Sequence, residues 1–369
     1  MTDTLWWGTY PEDGLGAPTG TGEGLWRQTT ADAHLALELP APSFVVAHPS
    51  LPVLYAICET GDTAVQVIDI SAVDAPTVAA TVATGGDSGC HLLLAADART
   101  LYASHYMSGE LAVIRLGEDG LPLSDGPDQV FAHEGSGPRE DRQEGPHAHF
   151  AGYAPGGRHV LVCDLGTDQL RRYAVGEHGL LEADGIAAAL PAGSGPRHFA
   201  VRGDRIYVAC ELDHQLRTLR WDAASATAEV IDEQASTTAP LRSSDVAFES
   251  HVLLVDDGVQ EQLLLVGVRG ADVIAIFDLS PEGDPRYRTS FDAGSWPRHF
   301  AIAQDRLHVG AEKGHEVRTY ALADVLALPA ETEVGGIAQV PYASAALPSP
   351  ACACPQPDHA PVMERSGLG

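Results

Sequence analysis

The stretch GSGPRHFAVRGDRIYVACELDHQLRTLRW (193–221) reappears as GSWPRHFAIAQDRLHVGAEKGHEVRTYAL (294–322). Each copy holds three short apolar segments: RHFAVRG (197–203), Ile206-Tyr207-Val208 and QLRTLRW (215–221) in the first. Glycine- and aspartate-bearing turns separate them. The third alternates apolar and polar residues, as a half-buried β-strand does.

The same unit extends outward in both directions. Its middle strand recurs as Leu54-Tyr55-Ala56, Leu101-Tyr102-Ala103, Val160-Leu161-Val162, Ile206-Tyr207-Val208, Leu264-Leu265-Val266 and Leu307-His308-Val309. The first and last lie 253 residues apart over five intervals, a mean period of about 51, and the 369-residue chain holds about seven such periods. First strands open at PSFVVAHP (42–49), CHLLLAA (90–96), HAHFAGY (147–153), RHFAVRG (197–203), SDVAFES (244–250) and RHFAIAQ (298–304). Third strands include AVQVIDI (64–70) and VIAIFDL (273–279), and looser fourth strands include TVAATVAT (77–84) and GIAAALPA (185–192). Four antiparallel strands per repeat, arranged radially, make an all-β, seven-bladed β-propeller. WWGTY (6–10), GLWRQTT (24–30) and LALEL (35–39) supply a blade without a first strand, which SPACACP (349–355) is expected to complete. The N- and C-terminal segments then close one blade together and leave no open sheet edge. Residues 1–369 are read as one domain, with about 356–369 (QPDHAPVMERSGLG) a polar, aperiodic tail.

Composition narrows the function. With 44% hydrophobic residues, 38 glycines and 25 prolines the chain suits a many-turned globular fold. A formal charge of −29 opposes nucleic-acid and membrane-surface partners. Six cysteines show no disulfide framework, and the start MTDTLWWGTY lacks a signal-peptide pattern, so a cytoplasmic location is expected. A monomer or homodimer is expected.

The repeat also places the chemistry. Strands one and two are antiparallel neighbours, so the start of one and the end of the other share a face of the disc. First-strand starts bring His91, His147, Arg197, Arg298 and His299 to that mouth. Second-strand ends bring Glu59, His105, Tyr106, Asp164, Glu211, Arg269 and Glu312. Arginines concentrated in so acidic a protein suit a carboxylate or phosphate ligand. His147 and His149 share a strand face and invite a zinc reading, but no third and fourth ligand has matching spacing. His149 is read instead as a packing residue. GSGPREDRQEGP (135–146) lacks the GK[ST] of a phosphate-binding P-loop; it is either a partial lid carrying Arg139 and Arg142 or a solvated loop. Trp6, Trp7, Trp26 and Trp221 are expected in blade packing, and Trp296 adjoins the mouth.

GSGPREDRQEGPHAHF (135–150), GSGPRHFA (193–200) followed by CEL (210–212), SGCHL (88–92) followed by HYMSGELAV (105–113), and WPRHF (296–300) resemble the seven-bladed β-propeller lactonase family. That family includes cycloisomerase-type 6-phosphogluconolactonases and 3-carboxymuconate lactonising enzymes. The resemblance implies lactone ring opening or closing without metal or cofactor. It places functional residues at His147, Arg197, Glu211 and Arg269, with Arg298 a further candidate; His147, Arg197 and Glu211 are read as catalytic, and Arg269 and Arg298, with His91, Tyr106 and His299 that the repeat brings to the mouth, as binding a small anionic lactone. Glu211 is expected to orient the imidazole, an arginine or the water. Asparagines that often precede the strand-ending residues in the family are replaced here by Cys58, His105, Cys210 and Val268. Three functions remain open on the sequence: a 6-phosphogluconolactonase-like hydrolase, a cycloisomerase acting on a carboxylated muconolactone, and a non-catalytic binding scaffold.

Overall fold

The computed structural model describes residues 5–10, 22–29, 32–256 and 262–357. The tail from 358 onward lies outside the described residues. The strands form seven four-stranded antiparallel sheets. The first sheet joins Leu5–Thr9, Gly24–Gln28 and Ala33–Glu38 to the C-terminal strand Pro350–Pro355. Trp6 pairs with Cys354 and Trp7 with Ala353, so strand register latches the ring where the chain ends meet. The other six blades start at Pro42, Gly89, Ala148, Pro196, Phe248 and Pro297.

Apolar alternation along the strands becomes packing between blades. Seven hydrophobic clusters fill the seven inter-blade interfaces; Leu161, Phe199, Ile206 and Trp221 belong to the one between the fourth and fifth blades. Leu5, Trp7, Ala301 and Val317 join the seventh blade back to the first. A leucine or valine such as Leu5 or Val317, fully buried, contributes about 1.5–3 kcal/mol of transfer free energy. The tyrosine in the middle-strand repeat adds a polar tie to the next blade. Tyr55, Tyr102 and Tyr207 donate to the carbonyls of Gly120, Gly179 and Gly283 at 2.9, 2.8 and 2.6 Å.

Two backbone devices at the start of the innermost strands build the mouth. The preceding residue is left-handed in five blades: Ala41, Ser88, Gly195, Trp296 and Ser349 have φ of 47°, 56°, 61°, 64° and 45°. Glycine is needed at 195, where a Cβ would lie 2.4 Å from Leu212 Cγ. Trp296 holds this conformation although bulky residues rarely do. The strand then bulges one residue in, between Pro42 and Phe44, Gly89 and His91, Ala148 and Phe150, Pro196 and His198, and Pro297 and His299. A bulge re-aims the extra side chain. Here it separates two residues that simple alternation would already place on opposite sides, and fixes which one faces the mouth.

One boundary differs from the sequence reading. The first strand of the sixth blade is Phe248–Asp256, not 244–250. Residues just before it hook over the 269–272 turn: the amides of Arg242 and Ser243 donate to Gly270 O, and Ser243 Oγ donates to Asp272 Oδ1 at 2.7 Å. Pairing starts only where Phe248 meets Arg269.

Candidate active site

The bulged residues Cys90, His149, Arg197 and Arg298 line a cavity of about 370 Å³ at the mouth of the channel. Strand-two ends add Glu59, Tyr106, Glu211 and Arg269 to its wall. His147, just ahead of its strand, completes the set of expected residues found there.

Glu211 is the electrostatic centre. It is 4% exposed, and three guanidinium groups meet its carboxylate. Arg269 Nη2 donates to Oε2 at 2.6 Å, Arg142 Nη2 donates to Oε1 at 2.6 Å, and Arg197 Nε lies 2.9 Å from Oε2 in ionic contact. Burial alone would raise this carboxyl, but Arg269, Arg142 and Arg197 outweigh it and hold it well below the usual range. Of the three roles open to Glu211 on the sequence, its contacts in the structure match the one of orienting arginines. The sixth blade fixes two of these arginines from behind. Arg197 Nη1 donates to Ser250 O, while Arg269 donates to Glu249 O at 2.9 Å and Phe248 O at 3.3 Å. Behind that main chain the Glu249 carboxyl is fully buried, and burial raises its pKa.

His147 faces the cavity in a defined tautomer. Its Nδ1 lies 2.7 Å from Tyr106 O; a carbonyl only accepts, so Nδ1 carries a proton, and it is Nε2 that carries the lone pair in the neutral ring. Nε2 has no hydrogen-bond partner among the described residues, and Glu144 Oε2 stands 3.4 Å away. The Tyr106 ring stacks on the imidazole at 4.3 Å and 11°, holding its plane. In the neutral ring, an Nε2 oriented in this way has the geometry a general base requires.

The opposite wall carries a second network. Arg298 donates to Tyr10 Oη at 2.5 Å and to Glu312 Oε2 at 3.1 Å, and Tyr10 Oη donates to Glu59 Oε2 at 2.5 Å. Burial raises the Glu59 carboxyl, an effect that Arg298 only partly opposes. Burial also pushes the Cys90 thiol up, which keeps it protonated and unsuited to nucleophilic attack.

Not every expected residue reaches the cavity. His91 and His299 follow the bulge and point into the layer below, where with Phe44, Phe150, His198 and His251 they floor the channel. His251 stacks on His299 at 4.1 Å, and His91 lies 4.3 Å from both Phe44 and Phe150. Burial first lowers the pKa of all four histidines; the charge of Arg197 comes next for His198 and His251, and follows that of His251 for His91 and His299. They are neutral packing groups at physiological pH rather than anion ligands. His105 turns to Thr84 Oγ1 at 2.7 Å, and Asp164 pairs with His133 at 2.9 Å and accepts from the His147 amide at 3.0 Å. Glu312 stands behind Arg298. Trp296 is buried against Arg269, 5.6 Å from its guanidinium, and is not part of the cavity wall. His149, read as packing, does line it.

The loop 135–146 was open between lid and solvated loop, and the structure pins it in place. Gln143 is fully buried and donates to Leu165 O at 2.9 Å and Asp168 Oδ1 at 2.8 Å. Arg139 donates to Leu212 O at 2.6 Å. Asp168 in turn accepts from the Gly193 and Gly195 amides at 2.7 and 2.8 Å, so one carboxylate ties this loop to the GSGPRH turn. Arg142, Asp141 and Glu144 thereby reach the cavity. Nothing periodic in the sequence marked Asp168, Gln143 or the Tyr10–Glu59 contact; the GTY motif that carries Tyr10 was the nearest signal. Among the described residues, no group of three or more His, Cys, Asp or Glu side chains could hold a metal.

A family model described as lactonase, 7-bladed beta-propeller, matches residues 6–334. A 6-phosphogluconolactonase of Bacillus subtilis is 30% identical over 284 residues, covering 75% of this chain and 78% of that protein. An uncharacterised protein of Staphylococcus saprophyticus is 25% identical, covering 82% of this chain and 86% of that one. Among solved structures, a periplasmic gluconolactonase of Pseudomonas aeruginosa superposes with a TM-score of 0.79 at 22% identity, covering 96% of this chain and 98% of that one. This last likeness is one of fold.

Proposed function

The chain belongs to the seven-bladed β-propeller lactonase family, and on that premise we propose that it hydrolyses a small anionic sugar lactone of the 6-phosphogluconolactone kind. Family membership supports a lactonase; the phosphosugar is the finer reading, and the named activity of the B. subtilis relative favours it. One observation carries the proposal. Three guanidinium groups share the single carboxylate of Glu211 in a cavity that His147 also lines. Such a cluster has two more positive charges than negative ones, which an anionic substrate and an oxyanionic transition state would both balance.

The chemistry follows from the geometry. A water in the cavity gives its proton to His147 Nε2 as its oxygen adds to the lactone carbonyl. Negative charge developing on the carbonyl oxygen is met by Arg197, whose Nη2 has no protein partner among the described residues. The ring C–O bond then breaks, and the imidazolium returns the proton to the leaving alkoxide. The new carboxylic acid ionises and releases one proton to solvent. Glu211 keeps Arg197 and Arg269 charged and aimed. An arginine donor of this kind is worth about 10²–10³ in rate and a positioned base about 10²–10⁴.

Proton release from freshly generated 6-phosphogluconolactone tests the reading. Wild-type turnover should exceed the spontaneous rate, falling by roughly 10²–10⁴ in His147→Ala and 10²–10³ in Arg197→Ala. A folded wild-type protein that leaves the spontaneous rate unchanged would refute it. A cytoplasmic site of action is part of the same proposal, since that is where such a phosphosugar would be met.

A further inference from the structure

We propose that Arg142, on the pinned loop over the mouth, is the receptor for the substrate's phosphate group, and that it binds this group by leaving Glu211. The inference rests on the lactonase reading for its substrate class, but its physical basis is separate. The three arginines around Glu211 are not equivalent. Arg197 and Arg269 have side chains only 4% and 5% exposed, and each also satisfies a main-chain carbonyl of the sixth blade. Moving either would strand a buried carbonyl, which costs the full desolvation of that group. Arg142 is 31% exposed and bonds only to side chains, Glu211 Oε1 at 2.6 Å and Tyr106 Oη at 3.2 Å. It can swing outward without leaving any main-chain acceptor bare, and Glu211 keeps Arg197 and Arg269 when it does.

The main chain beneath it supports this exchange. Gln143 and Arg139 anchor the loop on either side of Arg142, so its Cα is fixed while its long side chain spans the mouth. A guanidinium fork matches a phosphate with two parallel N–H···O bonds. The neighbouring carboxylates Asp141 and Glu144 are exposed, and solvent and salt screen their repulsion far more than they screen a direct bidentate contact. When Arg142 moves to the phosphate, Glu211 Oε1 loses its bond and becomes an acceptor open to the cavity. The phosphate then contributes to catalysis as well as to affinity, because it uncovers that oxygen.

Two measurements test this together. Equilibrium binding of 6-phosphogluconate and of gluconate is compared for wild type, Arg142→Gln and Arg142→Lys. Hydrolysis of 6-phosphogluconolactone and of glucono-δ-lactone is followed in the same three proteins, with folding checked by circular dichroism. The wild type should prefer the phosphorylated member of each pair. Arg142→Gln should reduce that preference by roughly 10- to 100-fold, and Arg142→Lys, which keeps charge without the fork, should fall between. Equal loss for both members of each pair would make Arg142 a prop for Glu211 and overturn the proposal, as would a preference that survives in Arg142→Gln. If the wild type binds 6-phosphogluconate through Arg142 but hydrolyses neither lactone, the receptor stands and the lactonase reading fails.

Discussion

Replacing Glu211 by Gln tests whether one carboxylate holds the arginine cluster together. The substitution keeps the side-chain shape but removes the one carboxylate that pairs with Arg142, Arg197 and Arg269 among the described residues. Two of those guanidinium groups have side chains no more than 5% exposed, so water cannot take over the carboxylate's role. Removing one partner of a buried ion pair costs about 3–5 kcal/mol. For a chain of 369 residues the unfolding entropy is about 0.8 kcal/mol/K, so the melting temperature should fall by about 4–6 °C. The pH dependence has a definite sign. Glu211 is held below its unfolded value, so its stabilisation is present above the usual glutamate range and is lost as pH falls from about 4.3 toward the depressed value. The gap between wild type and Glu211→Gln should therefore be full at pH 7 and narrow below about pH 4.3.

Scanning calorimetry of both proteins at pH 7, with and without inorganic phosphate, reads the effect. Phosphate can stand in for the lost carboxylate, so it should raise the melting temperature of Glu211→Gln more than that of wild type. A ligand at ten times its dissociation constant adds about 1.4 kcal/mol, or nearly 2 °C here. A variant as stable as wild type, with no extra response to phosphate, would mean that the three arginines do not depend on Glu211. The charge argument for the site would then fall.

Three further perturbations probe the supports of the cavity. The floor histidines are neutral in the fold and their pKa values are lowered, His251 to about 3, so the unfolded chain takes up more protons below about pH 6.5 and stability should drop with pH from there. His251→Phe, which copies Phe44 and Phe150, should flatten that slope by up to about 2 kcal/mol at pH 5; an unchanged slope in urea titrations at pH 7 and 5 would count against the floor's role. Gln143→Ala removes two buried bonds to Leu165 O and Asp168 and should cost about 1–3 kcal/mol while raising KM for the phosphorylated lactone; unchanged KM and stability would mean that the loop needs no anchor. Gly166→Ala would set a Cβ 1.9 Å from Gly145 O and 2.9 Å from the His147 amide. The resulting shift of His147 should lower kcat at least roughly tenfold, since small misplacements of a catalytic group are costly, and full turnover would show that the imidazole tolerates it.

The fold was legible because a propeller writes its architecture into the chain repeatedly. Period-two alternation in RHFAVRG and QLRTLRW identifies strands, and six recurrences of the middle strand with two partial ends give seven blades. The closing partner SPACACP was recognisable because its small apolar residues repeat the first-strand pattern, and it pairs with Leu5–Thr9. The sixth blade departs from the pattern because its mouth position holds Ser250-His251 where two others hold Arg-His, which leaves SDVAFES the nearer match to the repeat. Its true start is set by the hook of 242–243 over the 269–272 turn, a contact with no local sequence signature.

At the mouth the sequence located the face but not the depth of each residue. Arg298 and His299 adjoin in the chain and both belong to a first-strand start, yet they occupy different layers, and the bulge between Pro297 and His299 fixes which of them faces the mouth. The same device separates Cys90 from His91 and Arg197 from His198. A bulge is a property of ladder hydrogen bonding, and the residue types at these positions do not encode it. Its consequence is electrostatic. The guanidinium groups of Arg197 and Arg298 reach the open cavity while uncharged imidazoles pack beneath them, their proton affinity suppressed by burial and by Arg197 above. A floor that cannot protonate at neutral pH adds no further charge, so the positive charge at the mouth stays with the arginines. In a chain of formal charge −29, that confinement lets an acidic protein present a local site for an anion.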